Sequence, residues 1–233
     1  MASYIFKTPT LQLGIPSHTA ARHFLEIAMI STTSLFRAGF IAPVAVATVF
    51  CLAAPVNAAP VSVNWACRGT VLGISQTSNM NTTVTGTAPG SAASGSAVAI
   101  TITPGASSVP SSASGFTVNN ISNLKMTIPT PANSTLVSAT ASGGSVAGTV
   151  ATSGGNVVLT IPGPIAGGTS FTPPAVTLNV TAGAAGTSIT SKYAGTSYTS
   201  PGMTMTTNVS FVGNVATSCY PNPSPTLTTT TVT

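Results

Sequence analysis

Beyond residue 58 the chain alternates between apolar and hydroxyl-bearing side chains. Val, Ile, Leu and Met recur at every second position, with Thr, Ser, Asn or Lys at most positions between them. A period of two is typical of antiparallel strands that have one buried and one solvated face. The clearest segments carry their apolar residues at Val98, Ile100 and Ile102; Leu124, Met126 and Ile128; Val157, Leu159 and Ile161; Val176, Leu178 and Val180; and Met203, Met205, Val209 and Phe211.

Weaker alternation adds further strands, and turn-forming residues separate them. These weaker segments lie at 61–66, 82–87, 135–139, 145–150, 191–198, 212–217 and 226–232. Gly and Pro punctuate the chain, as in Ser153-Gly154-Gly155 and Pro162-Gly163-Pro164. Roughly ten strands at this spacing predict an all-β fold, a two-sheet antiparallel sandwich of immunoglobulin-like type. A barrel is the alternative, but a membrane-spanning one would have strands of about ten residues and aromatic girdles, and these segments are shorter.

The first 58 residues have the organisation of an export leader. Arg37 precedes an apolar run from Ala38 to Ala54, and the small residues Ala58 and Ala59 follow. A charged start, an apolar run and a small-x-small end are the features of a secretory signal peptide, which is helical in its apolar part. The run is shorter than the roughly 20 residues of a membrane anchor. We therefore predict cleavage between Ala58 and Ala59, and a single secreted domain at 59–233.

The chain contains a second methionine within the leader. Starting at Met29 would give a signal peptide of ordinary length, 29–58. The residues before it include the only acid, Glu26, and both histidines, His18 and His23. We interpret 1–28 as a misassigned start.

Charge is scarce in the predicted secreted domain. The whole chain has 233 residues, of which 3% are charged, and a formal net charge of +5. Half of the six basic residues lie in the leader, which leaves Arg68, Lys125 and Lys192. Three separate cations are too few to displace counterions along a phosphate backbone, so nucleic acid is not an expected partner.

The same scarcity argues against an enzyme or a metal protein. General acid–base catalysis needs a group that exchanges protons in the working pH range, and no Asp, Glu or His follows Glu26. A Ser-Lys hydrolase is the one remaining design, but Lys125 and Lys192 both have the pattern of solvent-facing residues. Hard cations need carboxylate oxygens. We therefore expect no catalytic residue, no cofactor and no bound metal.

Two cysteines, Cys67 and Cys219, follow the leader, near the two ends of the secreted domain. Export to an oxidising compartment makes a disulfide the default for such a pair. A metal or redox site would need additional ligands that the domain lacks. The disulfide would join the first strand to one of the last and close the sandwich. Trp65 next to Cys67 is interpreted as a core residue packed near the disulfide rather than a binding aromatic.

Several segments resemble a group of secreted actinobacterial proteins of unknown function. The segments are Asn57-Ala58-Ala59-Pro60, Val63-Asn64-Trp65-Ala66-Cys67, Ile128-Pro129-Thr130-Pro131-Ala132-Asn133-Ser134, Thr160-Ile161-Pro162-Gly163-Pro164-Ile165, Gly195-Thr196-Ser197-Tyr198 and Ser218-Cys219-Tyr220-Pro221-Asn222-Pro223-Ser224-Pro225. The resemblance implies a Gram-positive host with a mycolic-acid envelope and a paired-cysteine pattern that Cys67 and Cys219 match. It implies no functional residues.

These observations favour a non-catalytic structural or interaction protein, extracellular or associated with the cell envelope. Its Thr-, Ser- and Asn-rich surface can hydrogen-bond glycans of the envelope. The alternative is a carrier of apolar envelope lipids or glycolipids, with the segment 103–115 as a lid on its cavity. Self-association is also expected if the sheet edges stay uncovered, because almost no charged residue protects them.

Overall fold

The strand Ala175–Ala182 shows how the alternating pattern becomes structure. Val176, Leu178 and Val180 are buried, whereas the polar residues between them are partly exposed. The computed structural model describes residues 55–71, 73–113 and 115–233, and these belong to one compact unit. The unit is built from strands, which confirms the all-β class. The predicted signal helix and the start at Met29 lie outside the described residues.

Eighteen strands are present in the described residues. The first nine are β1 (Pro55–Asn57), β2 (Val61–Val71), β3 (Ile74–Pro89), β4 (Ser91–Ala92), β5 (Ala97–Pro104), β6 (Ser107–Ser108), β7 (Ser112–Ala113), β8 (Phe116–Pro129) and β9 (Ser134–Ser142). The others are β10 (Thr149–Ser153), β11 (Asn156–Ile161), β12 (Ile165–Ala166), β13 (Ser170–Phe171), β14 (Ala175–Ala182), β15 (Ser188–Ser191), β16 (Met203–Val209), β17 (Gly213–Pro221) and β18 (Thr228–Val232). No helix long and apolar enough to cross a bilayer occurs in these parts of the chain.

One antiparallel sheet of thirteen strands dominates the fold, with the hydrogen-bonded order β10-β11-β8-β16-β17-β2-β3-β5-β14-β9. Strands β1, β7 and β12 pair at its sides. The long strand β3 pairs with β2 along Ile74–Val84 and with β5 from Val84 to Thr87, so hydrogen bonding continues where the sequence predicts two separate sheets. The end strands β9 and β10 are consecutive in the chain and contact each other. The sheet therefore folds back on itself.

The core lies on the inner face of this sheet. Its fully buried members include Val63, Trp65, Ile100, Leu159 and Leu178, which come from four different strands. Residues on the inner face exclude water from one continuous apolar cluster, and this burial is the main stabilising term. The smaller sheet β15-β18-β4 packs against β3 on this side.

Gly86 in β3 allows that contact. A Cβ atom at Gly86 would collide with the carbonyl oxygen of Leu227, just before β18. Because a backbone atom cannot retreat as a flexible side chain can, only glycine fits here. Gly86 interrupts the alternation of apolar residues in β3. The interruption is where β3 and Leu227, just before β18, come into backbone contact.

Some predicted strands differ from those observed. Strands β2, β3 and β8 have 11, 16 and 14 residues, longer than the alternating segments indicate. Residues 145–148 and 192–198 are irregular rather than extended strand. The prediction of Phe211 in a strand is wrong, because it lies in the turn between β16 and β17, fully exposed and with φ 65°. In each case tertiary pairing, which a local pattern does not contain, decides the strand bounds.

The structure contains the Cys67–Cys219 disulfide that the sequence predicts, with an S–S distance of 2.05 Å. The two cysteines are direct register partners on the neighbouring strands β2 and β17, with Cα atoms 4.0 Å apart. Both side chains are buried on the inner face. The bond joins an early strand to a late one, as expected, but it does so within one sheet rather than between two layers.

Candidate functional site

The disulfide fixes which residues point outward from β2 and β17. Because side chains alternate along a strand, Arg68 after the buried Cys67 and Tyr220 after the buried Cys219 both lie on the outer face. In the antiparallel register Arg68 is opposite Ser218, and Tyr220 is opposite Ala66. Arg68 and Tyr220 are therefore diagonal neighbours on adjacent strands.

A row of outward residues continues from Arg68 across four strands. Ser218 of β17 pairs with Thr204 of β16, and Thr204 pairs with Lys125 of β8. Lys125 is exposed between the buried Leu124 and Met126, so it points outward like Arg68. Three strand spacings of about 4.8 Å put the Cα atoms of Arg68 and Lys125 about 14 Å apart along this row.

Tyr198 completes an aromatic cluster on the same face. The Arg68 guanidinium lies over the Tyr198 ring, with its central carbon 4.5 Å from the ring centroid. Tyr198 also contacts Tyr220 edge to face, with centroids 5.1 Å apart and an interplanar angle of 80°. All three side chains are half-buried. A cation over an aromatic ring is held by the negative potential of the ring face, which orients the guanidinium without using its N–H donors.

The irregular segment 192–202 carries Tyr198 and is anchored to the sheet at both ends. The Ala194 N–H donates to the Thr127 carbonyl at 2.9 Å, and the Gly202 N–H donates to the Cys219 carbonyl at 2.9 Å. A Cβ at Gly202 would collide with the Ala194 carbonyl oxygen, so the two ends touch backbone to backbone. The segment is thus a closed loop with a defined position.

Tyr193, at the start of that segment, packs on the opposite, inner side of the sheet. Its ring packs against Trp65 with centroids 5.2 Å apart and is buried on the inner side. Burial raises the pKa of the Tyr193 phenol, because an apolar surrounding disfavours the phenolate. Trp65 is fully buried, so it is the core residue that the sequence predicts. Its Nε1–H has no hydrogen-bond partner among the described residues.

No acidic side chain is available to neutralise the outer face. The only acid in the chain is Glu26, so Arg68, Lys125 and Lys192 have no carboxylate side chain near them in the part of the chain that the structure describes. Lys192 is exposed. It lies two residues before Ala194, and the hydrogen bond from Ala194 to Thr127 places Ala194 beside β8, the strand of Lys125. We call Arg68, Lys125, Tyr198 and Tyr220, which share the outer face of the main sheet, the cationic face.

Neutral hydrogen bonds also link strands across the outer surface. Asn119, Asn208 and Asn214 form a ladder across β8, β16 and β17, with amide-to-oxygen distances of 2.7 and 2.8 Å. Such cross-strand pairs stabilise sheets without charge. The charged residues of the cationic face therefore stand out against an otherwise neutral surface.

A small cavity lies on the inner side. It has a volume of about 40 Å³. The lining includes all four methionines that follow the leader, Met80, Met126, Met203 and Met205. Residues 107–110 of the predicted lid segment also lie on its wall. The volume is roughly a tenth of an ordinary ligand pocket, so the cavity in this conformation does not accommodate an acyl chain.

An open groove of about 400 Å³ follows the seam where the sheet ends meet. Its lining residues are Ser, Thr and Gly together with Asn156 and Leu136. Among the described strands β9 pairs only with β14, and β10 only with β11, so each has an open edge. Neither edge strand carries a charged residue, and self-association through them stays a prediction.

Of the other predicted site residues, Ala58 donates its N–H to the Gly86 carbonyl at 2.9 Å and Ala59 is exposed. Cleavage between them stays a prediction. In residues 55–71, 73–113 and 115–233, no three side chains of His, Cys, Asp or Glu come together. Sequence reasoning missed the cluster of Arg68, Tyr198 and Tyr220. The predicted Cys67–Cys219 pair is the sequence signal that could have located this cluster. Pairing the two cysteines places the next residue of each strand, Arg68 and Tyr220, on the same face.

Comparison with known proteins gives few relatives. No protein-family model matches the chain, and no curated protein matches it. One solved structure that is similar is that of a "Putative membrane anchored protein from Corynebacterium diphtheriae", with 17% identity and a TM-score of 0.44. The match covers 75% of this chain and 38% of that protein. The neighbour comes from an actinobacterium, while membership of the group of secreted proteins stays a prediction.

Proposed function

We propose that this protein is a non-catalytic structural or interaction protein, secreted and retained at the cell envelope, that binds its partner through the outer face of the main sheet. The observation that supports this most directly is the cationic face, where Arg68, Tyr198 and Tyr220 form one cluster on a neutral surface. A cation held in place on an otherwise neutral surface can attract and orient an anionic partner.

Two further observations support the proposal. The Cys67–Cys219 disulfide is typical of proteins that fold in an oxidising compartment outside the cytoplasm. The described residues contain no Asp, Glu or His, and the buried Tyr193 has a raised pKa that makes it a poor general acid. We further propose that the folded-back sheet acts as a two-layer, immunoglobulin-like sandwich, with the core between its layers.

Fractionation of the host culture tests the proposal. Part of the protein should sediment with washed envelope, rising salt should release it, and the purified protein should bind again to stripped envelope. Protein found entirely in the medium, with no binding to stripped envelope, would contradict envelope retention.

A lipid carrier is the second candidate. The observation in its favour is that Val109 and Pro110 of the predicted lid lie on the wall of the methionine-lined cavity. A carrier should co-purify with lipid that organic solvent extracts, and the cavity would have to expand several-fold to hold it. Native mass spectrometry of the protein from its host medium distinguishes the two candidates, because an interaction protein should have the mass of the polypeptide alone.

A further inference from the structure

The geometry points to the cationic face as a binding site for an acidic glycan, an extended polysaccharide that carries carboxylate or sulfate groups. This inference rests on the proposed function and names the chemistry of its partner. Arg68 supplies a planar fork of N–H donors that fits an oxyanion with two hydrogen bonds. The Tyr198 ring holds that fork in place at 4.5 Å.

The spacing of the cations favours an extended partner. Arg68 and Lys125 lie on one row, separated by Thr204 and Ser218, with their Cα atoms about 14 Å apart. A compact anion such as inorganic phosphate needs donors that converge on one point, whereas Arg68 and Lys125 lie on strands three spacings apart. An extended chain with repeated negative groups can reach both cations, while its hydroxyl groups lie over the Thr204 and Ser218 hydroxyls.

The side chains around the cations favour a sugar over other polyanions. Tyr198 and Tyr220 are half-exposed amphipathic rings of the kind that pack on sugar faces while their hydroxyl groups bond to water or ligand. A duplex carries a phosphate charge about every 1.7 Å, far denser than three cations can match. A bilayer would engage the large exposed apolar residues, and those of the described residues, Ile74, Phe116, Val137 and Phe211, lie off this row.

The missing carboxylates strengthen the inference. In most proteins a half-buried Arg is paired with Asp or Glu, and a ligand must compete with that pair. Within the described residues no acidic side chain competes with an incoming anion for Arg68. The attraction is electrostatic, and rising salt should weaken it.

Binding measurements with defined polysaccharides test the site. The protein purified from its host is titrated with polygalacturonate and dextran sulfate, and with neutral dextran as the control. We expect salt-sensitive binding to both acidic polymers and none to dextran. Arg68→Gln should weaken binding roughly ten-fold, and Arg68→Lys less, since it keeps the charge but loses the fork. Lys125→Gln should weaken binding about two- to five-fold.

A charge-relocation variant separates a site from net charge. Lys125→Gln combined with Thr140→Lys restores the net charge on the exposed surface of β9, at the end of the hydrogen-bonded path. Binding of this variant should stay as weak as that of Lys125→Gln alone. Recovery of binding would overturn the inference, as would equal binding to neutral dextran or tighter binding to phosphatidylglycerol vesicles. If Arg68→Gln binds stripped envelope as wild type does, the glycan site fails while the proposed retention at the envelope stands.

Discussion

Two tyrosines, only five residues apart in one loop, contact opposite faces of the sheet. Tyr193 packs on Trp65 inside, where both rings are buried, and Tyr198 packs under Arg68 outside, where both side chains are half-buried. Both partners belong to β2 and lie three residues apart. The inner pair excludes water and contributes to folding, whereas the outer pair keeps its polar atoms within reach of solvent. Under the proposed function, the inner face of β2 stabilises the fold and its outer face binds the partner.

Loss of the disulfide should have the largest effect on stability. The bond closes a loop of 152 residues, for which the chain-entropy model gives about 5 kcal/mol. The double variant Cys67→Ala/Cys219→Ala should therefore lower the free energy of unfolding by several kcal/mol in a urea titration. The same bond holds the register of Arg68 and Tyr220. Its removal should therefore affect both the inner core and the outer cluster. Wild-type stability in that variant would show that strand pairing alone holds the register.

Truncation of the inner ring should come next. Trp65→Ala removes a fully buried indole and should cost about 3 to 5 kcal/mol in the free energy of unfolding, measured by denaturant titration. Trp65→Phe is the matched control and should cost less, because it keeps a ring and removes a buried N–H that has no partner among the described residues. Molecules that remain folded should bind polygalacturonate as wild type does. Weaker binding by the folded fraction would mean that the two faces are coupled.

The inner pair should also make the protein sensitive to alkali. Burial raises the pKa of Tyr193 above the ordinary tyrosine value of about 10, so above that pH the unfolded chain loses its proton first. The stabilising contribution is complete below about pH 10 and falls as the pH rises further, by up to about 1.4 kcal/mol per pH unit. Thermal melts of wild type and Tyr193→Phe between neutral and alkaline pH measure this. The Phe variant should show the shallower decline, and parallel declines would contradict the assignment.

The sequence predicts the parts of this fold that a local pattern contains. Alternation locates β5, β8, β11 and β14, and the presence of two cysteines in a chain with an export leader predicts the disulfide. It does not predict that β3 carries hydrogen bonding from β2 to β5, because a strand's partners are set by the packing of distant segments. For the same reason Arg68 and Lys125 look isolated in the chain, although strand register puts them on one row.

The irregular loop 192–202 is the hardest segment to predict. The alternation favours a strand here because Tyr193 and Lys192 continue the pattern of β15. The loop instead closes through the backbone contact of Gly202 with Ala194, which has no counterpart in a two-residue period. The sequence pattern assigns Tyr198 to a strand and gives it no functional role, and its contact with Arg68 becomes visible only in the fold.

Truncation of the outer ring should have the smallest effect on stability and a clear effect on binding. Tyr198→Ala removes a half-exposed ring whose contact with Arg68 is worth about 1 kcal/mol or less, so the melting temperature should change little. Affinity for polygalacturonate should nevertheless fall about three- to five-fold, because the freed guanidinium must be ordered each time a ligand binds. Tyr198→Phe keeps the ring face and should bind within about two-fold of wild type. If Tyr198→Ala instead unfolds as readily as Trp65→Ala, the outer ring is part of the folding core and the division between the two faces of β2 fails.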